Sequence, residues 1–373
     1  MRTWVAPGRV NIIGEHTDYN DGYVLPIALP LVARCTAAPH TDGLVGVGSR
    51  QRPGEPVLVA VSDIEGARAR VPGWSRYPLG VVAEFTRRGH RIPGVDLDLD
   101  GAVPIGAGLS SSAALSCAVA IALRDLFAPG LTDRTLIDMA RAAENDYVGA
   151  PTGLLDQSAA MLCTAGHALL LDVRAFAADT AAPRGVEQIP FDLGAFGLEL
   201  LVVDTGQPHE LADGRYAERR AECAAAAEAL GVETLRDVAS ATDTTRIADD
   251  VLRRRARHVV TENARVVAVA EELREGLDPR GIGPVLTAGH VSLRDDFEVS
   301  TPALDAAVDA ALAAGSHGAR MVGGGFGGSV IALVDRDRTA AVADSVRQRF
   351  ADADLPDPRT FVVVPAPGAH RVD

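Results

Sequence analysis

The chain has 373 residues, 36 basic against 50 acidic side chains and a formal net charge of −14 at pH 7. That length accommodates one large or two medium domains with a substantial core, and the acidic balance argues against nucleic acid as a partner, because phosphate backbones are held by clustered positive charge. The sequence contains no lysine, which excludes a P-loop lysine, a protein-kinase strand lysine and a lysine Schiff base.

In chain order, the first strand signal spans Val95 to Leu99, where apolar residues alternate with Asp96, Asp98 and Asp100 as on a strand with one wet face. A Gly-rich loop follows, and the small and apolar residues from Ser110 to Phe127 predict a well-buried helix. Thr132 and Asp133 start a second helix that keeps its spacing through Leu136, Ile137, Ala140, Ala143 and Tyr147, with Glu144 inside it, until Gly149 and Pro151 end it. A short helix near Thr152 turns Leu155, Ala159 and Leu162 inward and carries Asp156 near its first turn. Strands are predicted at Ala168 to Asp172 and Leu198 to Asp204, and helices at Asp213 to Leu230, Thr261 to Leu273 and Thr301 to Ala314. Two strands, Ala319 to Val322 and Ser329 to Val334, flank MVGGGFGG (Met321 to Gly328). A helix from Arg338 to Phe350 and a strand at Thr360 to Val364 complete the chain. Strands and helices mix in both halves, an α+β pattern. Periodicity breaks between Thr180 and Gln188, which predicts domains at 1–182 and 183–373.

The four cysteines, Cys35, Cys117, Cys163 and Cys223, lie far apart without a CxxC pair, as expected of reduced thiols in a cytoplasmic protein. No HExxH occurs, the start Met1 to Trp4 lacks a signal-peptide stretch, and the longest nearly apolar run, Ala113 to Leu123, is too short to span a bilayer.

Three clusters carry chemistry. PIGAGLSSSAA (Pro104 to Ala114) lies between a strand and a helix. Gly106 and Gly108 admit backbone conformations denied to residues with a Cβ, so successive N–H groups can converge on a phosphate at the helix N-terminus. The three serines add hydroxyls, one of which can ligate Mg²⁺ carried by a nucleotide. With lysine absent, positive charge must come from that metal, the helix end and arginine. A tight connection with a serine cap would explain a lone glycine pair; strand, two glycines, three serines and helix together favour an anion site.

GRVNIIGEHTDYNDG (Gly8 to Gly22) offers Glu15, His16 and Asp18, acceptors and a switchable donor suited to the adjacent hydroxyls of a sugar. Its Arg9 can meet a carboxylate or a transferring phosphoryl group in bidentate fashion. Taken singly, each of these reads as a surface turn residue. The third cluster has GxGxxG at Gly323, Gly325 and Gly328, but a β-rich run follows where a dinucleotide site needs a helix, so a dehydrogenase reading fails. A hairpin approaching a ligand and the close packing of two elements both stay open there. Glu144 and Asp156 are acids on otherwise apolar helices, costly to bury unless paired or metal-bound. Glu144 would complement a serine as a metal ligand, and Asp156 would accept a proton from a substrate hydroxyl with Arg9 keeping it ionised. A helix acid facing water explains either equally well.

In this order the three clusters closely resemble those of the GHMP small-molecule kinases, and within them the galactokinase family, through the EHTDYN core at Glu15 to Asn20 and SLRDDFEVS at Ser292 to Ser300. The resemblance runs from Ala6 to about Val364. It implies a ribosomal-S5-like N-terminal domain, a C-terminal α+β domain and an active site between them, where the γ-phosphoryl of ATP passes to the anomeric hydroxyl of galactose. It implies galactose held by Glu15, His16, Thr17, Asp18, Gly153, Asp156 and Tyr216, with Asp156 as catalytic base and Arg9 as transition-state partner. It implies adenine beside Trp74, ATP phosphates on Gly106, Ala107, Gly108, Leu109, Ser110, Ser111 and Ser112, and Mg²⁺ on Ser112 and Glu144. The expected partners are small molecules alone, with no nucleic acid, no membrane and a monomer favoured. A kinase for another sugar or amino sugar and a non-catalytic galactose-binding regulator are the alternatives, and the intact serine loop speaks for an enzyme. Two departures stand out: the first cluster begins at Gly8, without the longer leader usual in relatives, and Asp204-Thr205-Gly206 replaces the common Asn-Thr-Asn type of segment.

Overall fold

The first strand, Arg2–Asn11, is buried at every position from Trp4 onward, so it carries no alternation of apolar and polar residues. It enters a six-stranded sheet in the order His370–Arg371, Arg2–Asn11, Pro26–Pro39, Val95–Gly101, Leu44–Ser49, Val57–Ala60. All neighbours are antiparallel except Leu44–Ser49 with Val95–Gly101. The computed structural model describes residues 1–178, 184–207 and 214–372. Helices Arg76–Arg87, Ser111–Phe127 and Asp133–Ala142 share an apolar core with this sheet.

A four-stranded antiparallel sheet, ordered Gly318–Val322, Ser329–Asp335, Leu198–Asp204, Arg359–Val363, forms the second body. Helices Arg215–Leu230, Asp250–Arg274, Pro302–Ala313 and Thr339–Asp352 pack around it. A further core joins Val10, Ile12 and Leu25 to Val202, Val266 and Ile331, so the seam between the two bodies is itself apolar and holds them together. The predicted boundary at 182/183 lies outside the described residues.

The α+β expectation holds, and the alternation at Val95–Gly101 is seen as buried Val95, Leu97 and Leu99 between exposed Asp96 and Asp98. Several expected elements differ. The helix predicted from Thr132 to Gly149 is α-helical over Asp133–Ala142 and then widens into a π-turn over Ala143–Val148. Ala143, Glu144 and Tyr147 are buried within it. The short helix starts at Leu155 and not near Thr152. The helix predicted at Thr261 to Leu273 spans Asp250–Arg274, begun by Asp249, whose carboxylate accepts from the amides of Val251 and Leu252. Its first turns hide their inward face because two of the buried residues there are Arg255 and His258. The helix Ile282–Asp295, which contains the start of SLRDDFEVS, was not anticipated. Asp213, the predicted start of the helix seen at Arg215–Leu230, lies outside the described residues.

Candidate active site

The strand carrying Arg9 runs against the glycine loop of the second cluster. A Cβ on Gly8 would lie 2.6 Å from the Leu109 carbonyl, so only glycine lets the two backbones approach this closely. The Arg9 amide then donates to the Leu109 carbonyl at 3.1 Å. Its guanidinium spans two groups, the Gly108 carbonyl at 2.6 Å and the Asp156 carboxylate at 2.6 Å. Gly106 and Gly108 both adopt left-handed backbone, as does Ser110 at φ 58°, immediately before the helix Ser111–Phe127. The Ser110 hydroxyl is buried and has no hydrogen-bond partner among the described residues. A left-handed glycine loop, an unpaired hydroxyl donor and the start of a long helix together have the chemistry of an anion cradle.

The third glycine cluster packs onto this cradle. Cβ atoms on Gly323 and Gly328 would come within 3.0 Å of the Gly108 carbonyl and 3.2 Å of the Ala107 carbonyl, and both residues have positive φ. The Ser329 hydroxyl donates to the Ala107 carbonyl at 2.7 Å. These glycines are packing positions, and Gly323 with Gly324 also lines the cavity. Asp204-Thr205-Gly206 lies behind the hairpin, where the Thr205 amide and hydroxyl both donate to the Gly328 carbonyl, at 3.1 and 2.7 Å.

Opposite the cradle sits the polar loop of the first cluster. The Asp18 carboxylate accepts from the Leu155 amide at 3.3 Å, at the N-terminus of the helix that carries Asp156. It also accepts from the Tyr19 amide at 3.0 Å. Burial, followed by the nearby Asp156, raises the pKa of Asp18. His16 takes a left-handed φ of 63°, lies 2.8 Å from the Tyr19 hydroxyl through Nδ1, and packs its ring against Tyr216 and Phe297. Burial holds the Tyr216 phenol well above its ordinary range, so it stays protonated and able to donate. Glu15 is fully buried, accepts from the Gly323 amide at 3.3 Å and is ion-paired to Arg320.

Behind Ser112 lies Glu144. The hydroxyls of Ser112 and Ser116 hydrogen-bond its carboxylate, and burial, followed by the charge of Asp156, pushes it up to about 8. No arginine pairs with it among the described residues. A buried carboxylate and an adjacent hydroxyl, short of positive charge, are oxygen donors of the kind Mg²⁺ takes when phosphates supply the rest of its shell.

These groups surround a cavity of about 430 Å³. Of the expected site residues, it is lined by Arg9, Glu15, His16, Asp18, Gly106, Gly108, Leu109, Ser110, Ser111, Ser112, Gly153, Asp156 and Tyr216. Four stand outside the lining. Thr17 is buried, with its hydroxyl turned to the carbonyls of Gly14 and Tyr23, at 2.8 and 2.6 Å, where it shapes the loop. Ala107 is buried under the cradle, Glu144 lies behind Ser112, and Trp74 packs partly buried against the N-terminal core. Tyr77, one helical turn beyond Trp74, does line the cavity, and sequence reasoning passed over it although the spacing of three residues was visible. Thr152 and Ile105 also line it without having been singled out.

Comparison with known proteins places these features in a family. The GHMP kinases N terminal domain matches residues 76–164, the GHMP kinases C terminal domain residues 269–352, and the galactokinase galactose-binding signature residues 2–39. Galactokinase from Streptomyces coelicolor is 48% identical, over 99% of this chain and 94% of that protein. Galactokinase from Mycobacterium tuberculosis is 43% identical, over 98% and 97%. The crystal structure of Lactococcus lactis galactokinase complexed with galactose superposes with a TM-score of 0.92 at 31% identity, covering 100% of this chain and 95% of that one. Mevalonate kinase from Methanococcus jannaschii shares the fold, with a TM-score of 0.67 at 15% identity over 97% of each chain.

Proposed function

From the premise that this chain belongs to the galactokinase family of the GHMP kinases, we propose that it transfers the γ-phosphoryl of ATP to the anomeric hydroxyl of α-D-galactose, giving galactose 1-phosphate and ADP. The first phosphorylating step of galactose catabolism, in the Leloir pathway, is the reaction this performs. The observation that carries the reading is the double reach of Arg9, whose one guanidinium touches both the glycine cradle and the Asp156 carboxylate.

Triphosphate oxygens lie over the amides of Gly106 to Ser112, with the Ser110 hydroxyl as a further donor. Adenine goes to the end of the cavity lined by Tyr77, three residues beyond Trp74. The sugar lies against Glu15, His16, Asp18 and Tyr216, and Gly153 leaves room beside Asp18. Asp156 faces the cavity while 22% exposed, so it can orient the acceptor hydroxyl and take its proton. Arg9 pairs with that carboxylate at 2.6 Å and presents positive charge to the transferring group. Phosphoryl transfer passes through a loose transition state, so positioning and charge neutralisation supply most of the acceleration. Ser112 and Glu144 would hold Mg²⁺, which when bound neutralises triphosphate charge. Four buried, unpaired cysteines support a cytoplasmic protein, and no helix among the described residues is long and apolar enough to cross a membrane. We take the monomer as the working unit.

The test is ADP release with ATP and Mg²⁺ across galactose, N-acetylgalactosamine, glucose and arabinose. The proposal expects galactose to give the highest kcat/KM; sugar-independent ADP release, or clear preference for another sugar, overturns it.

A further inference from the structure

Glu15 does not stand alone in its half of the cavity. Its carboxylate pairs with Arg320, on the strand Gly318–Val322, and the same guanidinium meets Glu262, on the helix Asp250–Arg274, at 2.8 Å. All three side chains are buried to 1% exposure or less. Glu262 reaches further: it accepts from the amide of Gly14, directly before Glu15, at 3.0 Å, and pairs with Arg265 at 2.7 Å. The loop that faces the sugar is thus held twice from the C-terminal body, by its side chain through Arg320 and by its backbone through Glu262. Gly289 makes room for this: a Cβ there would lie 3.1 Å from Arg320 Nη1 and 3.3 Å from Glu262 Oε2.

We infer that Arg320 and Glu262 are positioning residues for galactose, fixing the Glu15 carboxylate and the Gly14 backbone from across the seam between the two bodies. The inference rests on the reading of Glu15 as a sugar-binding group. Two carboxylates sharing one guanidinium in a dry environment are stable only while all partners are present, because removal of one leaves an uncompensated buried charge. The arrangement is therefore rigid, and rigidity is what a carboxylate needs to grip one hydroxyl in one place. It also sets how Glu15 titrates. Burial raises Glu15 to about 7, with Arg320 and Arg9 opposing and the charge of Glu262 adding to the rise. His258, which donates from Nε2 to the Glu15 carbonyl, is kept neutral by burial, and Arg265 neutralises Glu262 from its far side.

Three variants test this with galactose and a series of deoxygalactoses. Glu15→Gln identifies the hydroxyl that Glu15 holds, as the deoxy sugar whose kcat/KM penalty disappears. Glu262→Gln and Gly289→Ala, the second of which removes no charge, are expected to raise the galactose KM by about tenfold and to erase the same penalty, with the ATP KM changed by less than about twofold. In Glu262→Gln the pH midpoint for galactose kcat/KM moves down, because the charge that raises Glu15 is gone, which a purely structural defect would not produce. A variant with lowered melting temperature but unchanged galactose KM, deoxy-sugar penalty and pH midpoint overturns the inference. A normal galactose KM in Glu15→Gln itself overturns the sugar-binding reading of Glu15, and the inference with it.

Discussion

A Cβ placed on Gly153 would sit 1.7 Å from Oδ2 of Asp18, so the carboxylate occupies the volume that any larger residue would need. The backbone of Gly153 does not require glycine on conformational grounds, since its φ is not in the left-handed region. Space alone explains the residue. Gly153→Ala is therefore expected to push Asp18 away from the Leu155 amide and out of the sugar site, with a loss on the order of 10²-fold in galactose kcat/KM for a displacement near 1 Å. Steady-state kinetics should place the loss in galactose terms while the ATP KM stays near its original value. Equal damage to both substrates would mean that the helix start had moved as a whole.

Arg9 and Asp156 give the second prediction. General-base catalysis contributes ~10²- to 10⁴-fold, so Asp156→Asn should lower kcat by an amount in that range while galactose binding stays measurable by calorimetry. Arg9→Lys keeps the charge but replaces a planar fork by a point donor, which cannot serve the Gly108 carbonyl and the Asp156 carboxylate together. It should therefore behave like a positional defect, with kcat depressed and a smaller change in KM for ATP. Turnover near the original rate in either variant removes that residue from the mechanism.

How much of this was legible in the sequence follows from which contacts are local. The cradle was visible because Gly106, Gly108 and the serines are adjacent and lie between a strand and a helix. The role of Glu144 was left even with a solvent-facing acid because its spacing from Ile137 and Ala140 puts it on the buried face while its charge argues for water, and the hydroxyls of Ser112 and Ser116 that receive it come from a helix about thirty residues earlier. The strand Arg2–Asn11 left no alternation to read because both faces are covered. The ties of Glu15 to Arg320 and Glu262 link residues about 250 to 300 positions apart, and nothing in a single sequence marks such a pairing. Thr17 entered only through the resemblance of EHTDYN, and the turn of its hydroxyl toward the Gly14 and Tyr23 carbonyls is not written in that motif.

Thr17 and Ser110 make opposite predictions from the same kind of atom. The Thr17 hydroxyl serves two buried carbonyls, so Thr17→Val should cost about 1–3 kcal/mol of stability, read from the urea midpoint, through the unsatisfied acceptors it leaves. The Ser110 hydroxyl has no protein partner among the described residues, so Ser110→Ala should change stability by less than about 0.5 kcal/mol and raise the KM for ATP. If Ser110→Ala unfolds the protein as readily as Thr17→Val, the hydroxyl is structural and the anion cradle loses one of its donors.

The last prediction concerns pH and rests on His258. Its Nε2 lies 3.2 Å from the Glu15 carbonyl and its Nδ1 2.9 Å from the Ser292 hydroxyl. A carbonyl only accepts, so in the neutral ring Nε2 carries the proton and Nδ1 is an acceptor facing the Ser292 hydroxyl, whose one proton is shared between Nδ1 and the Asp296 carboxylate at 3.2 Å. Burial lowers its pKa from 6.5 to about 4. Between those values the unfolded chain binds a proton that the folded chain refuses, so this group's contribution to stability rises with pH through the window and is lost as pH falls toward 4. Glu15 works in the other direction: raised from 4.5 to about 7, it makes the folded chain bind the extra proton and its contribution falls as pH rises across that range. The two oppose each other between 4.5 and 6.5. Replacing His258 by glutamine removes one side of the opposition. The stability of the original protein minus that of His258→Gln should therefore widen as pH rises from 4 to 6.5 and level off above, with a slope of at most about 1.4 kcal/mol per pH unit. Denaturant titrations at half-unit pH steps measure this difference directly. A gap that is constant across the window would mean that His258 keeps its ordinary pKa in the folded chain, and that the ring is wetter than its surroundings of Phe297, Ser292 and Glu262 imply.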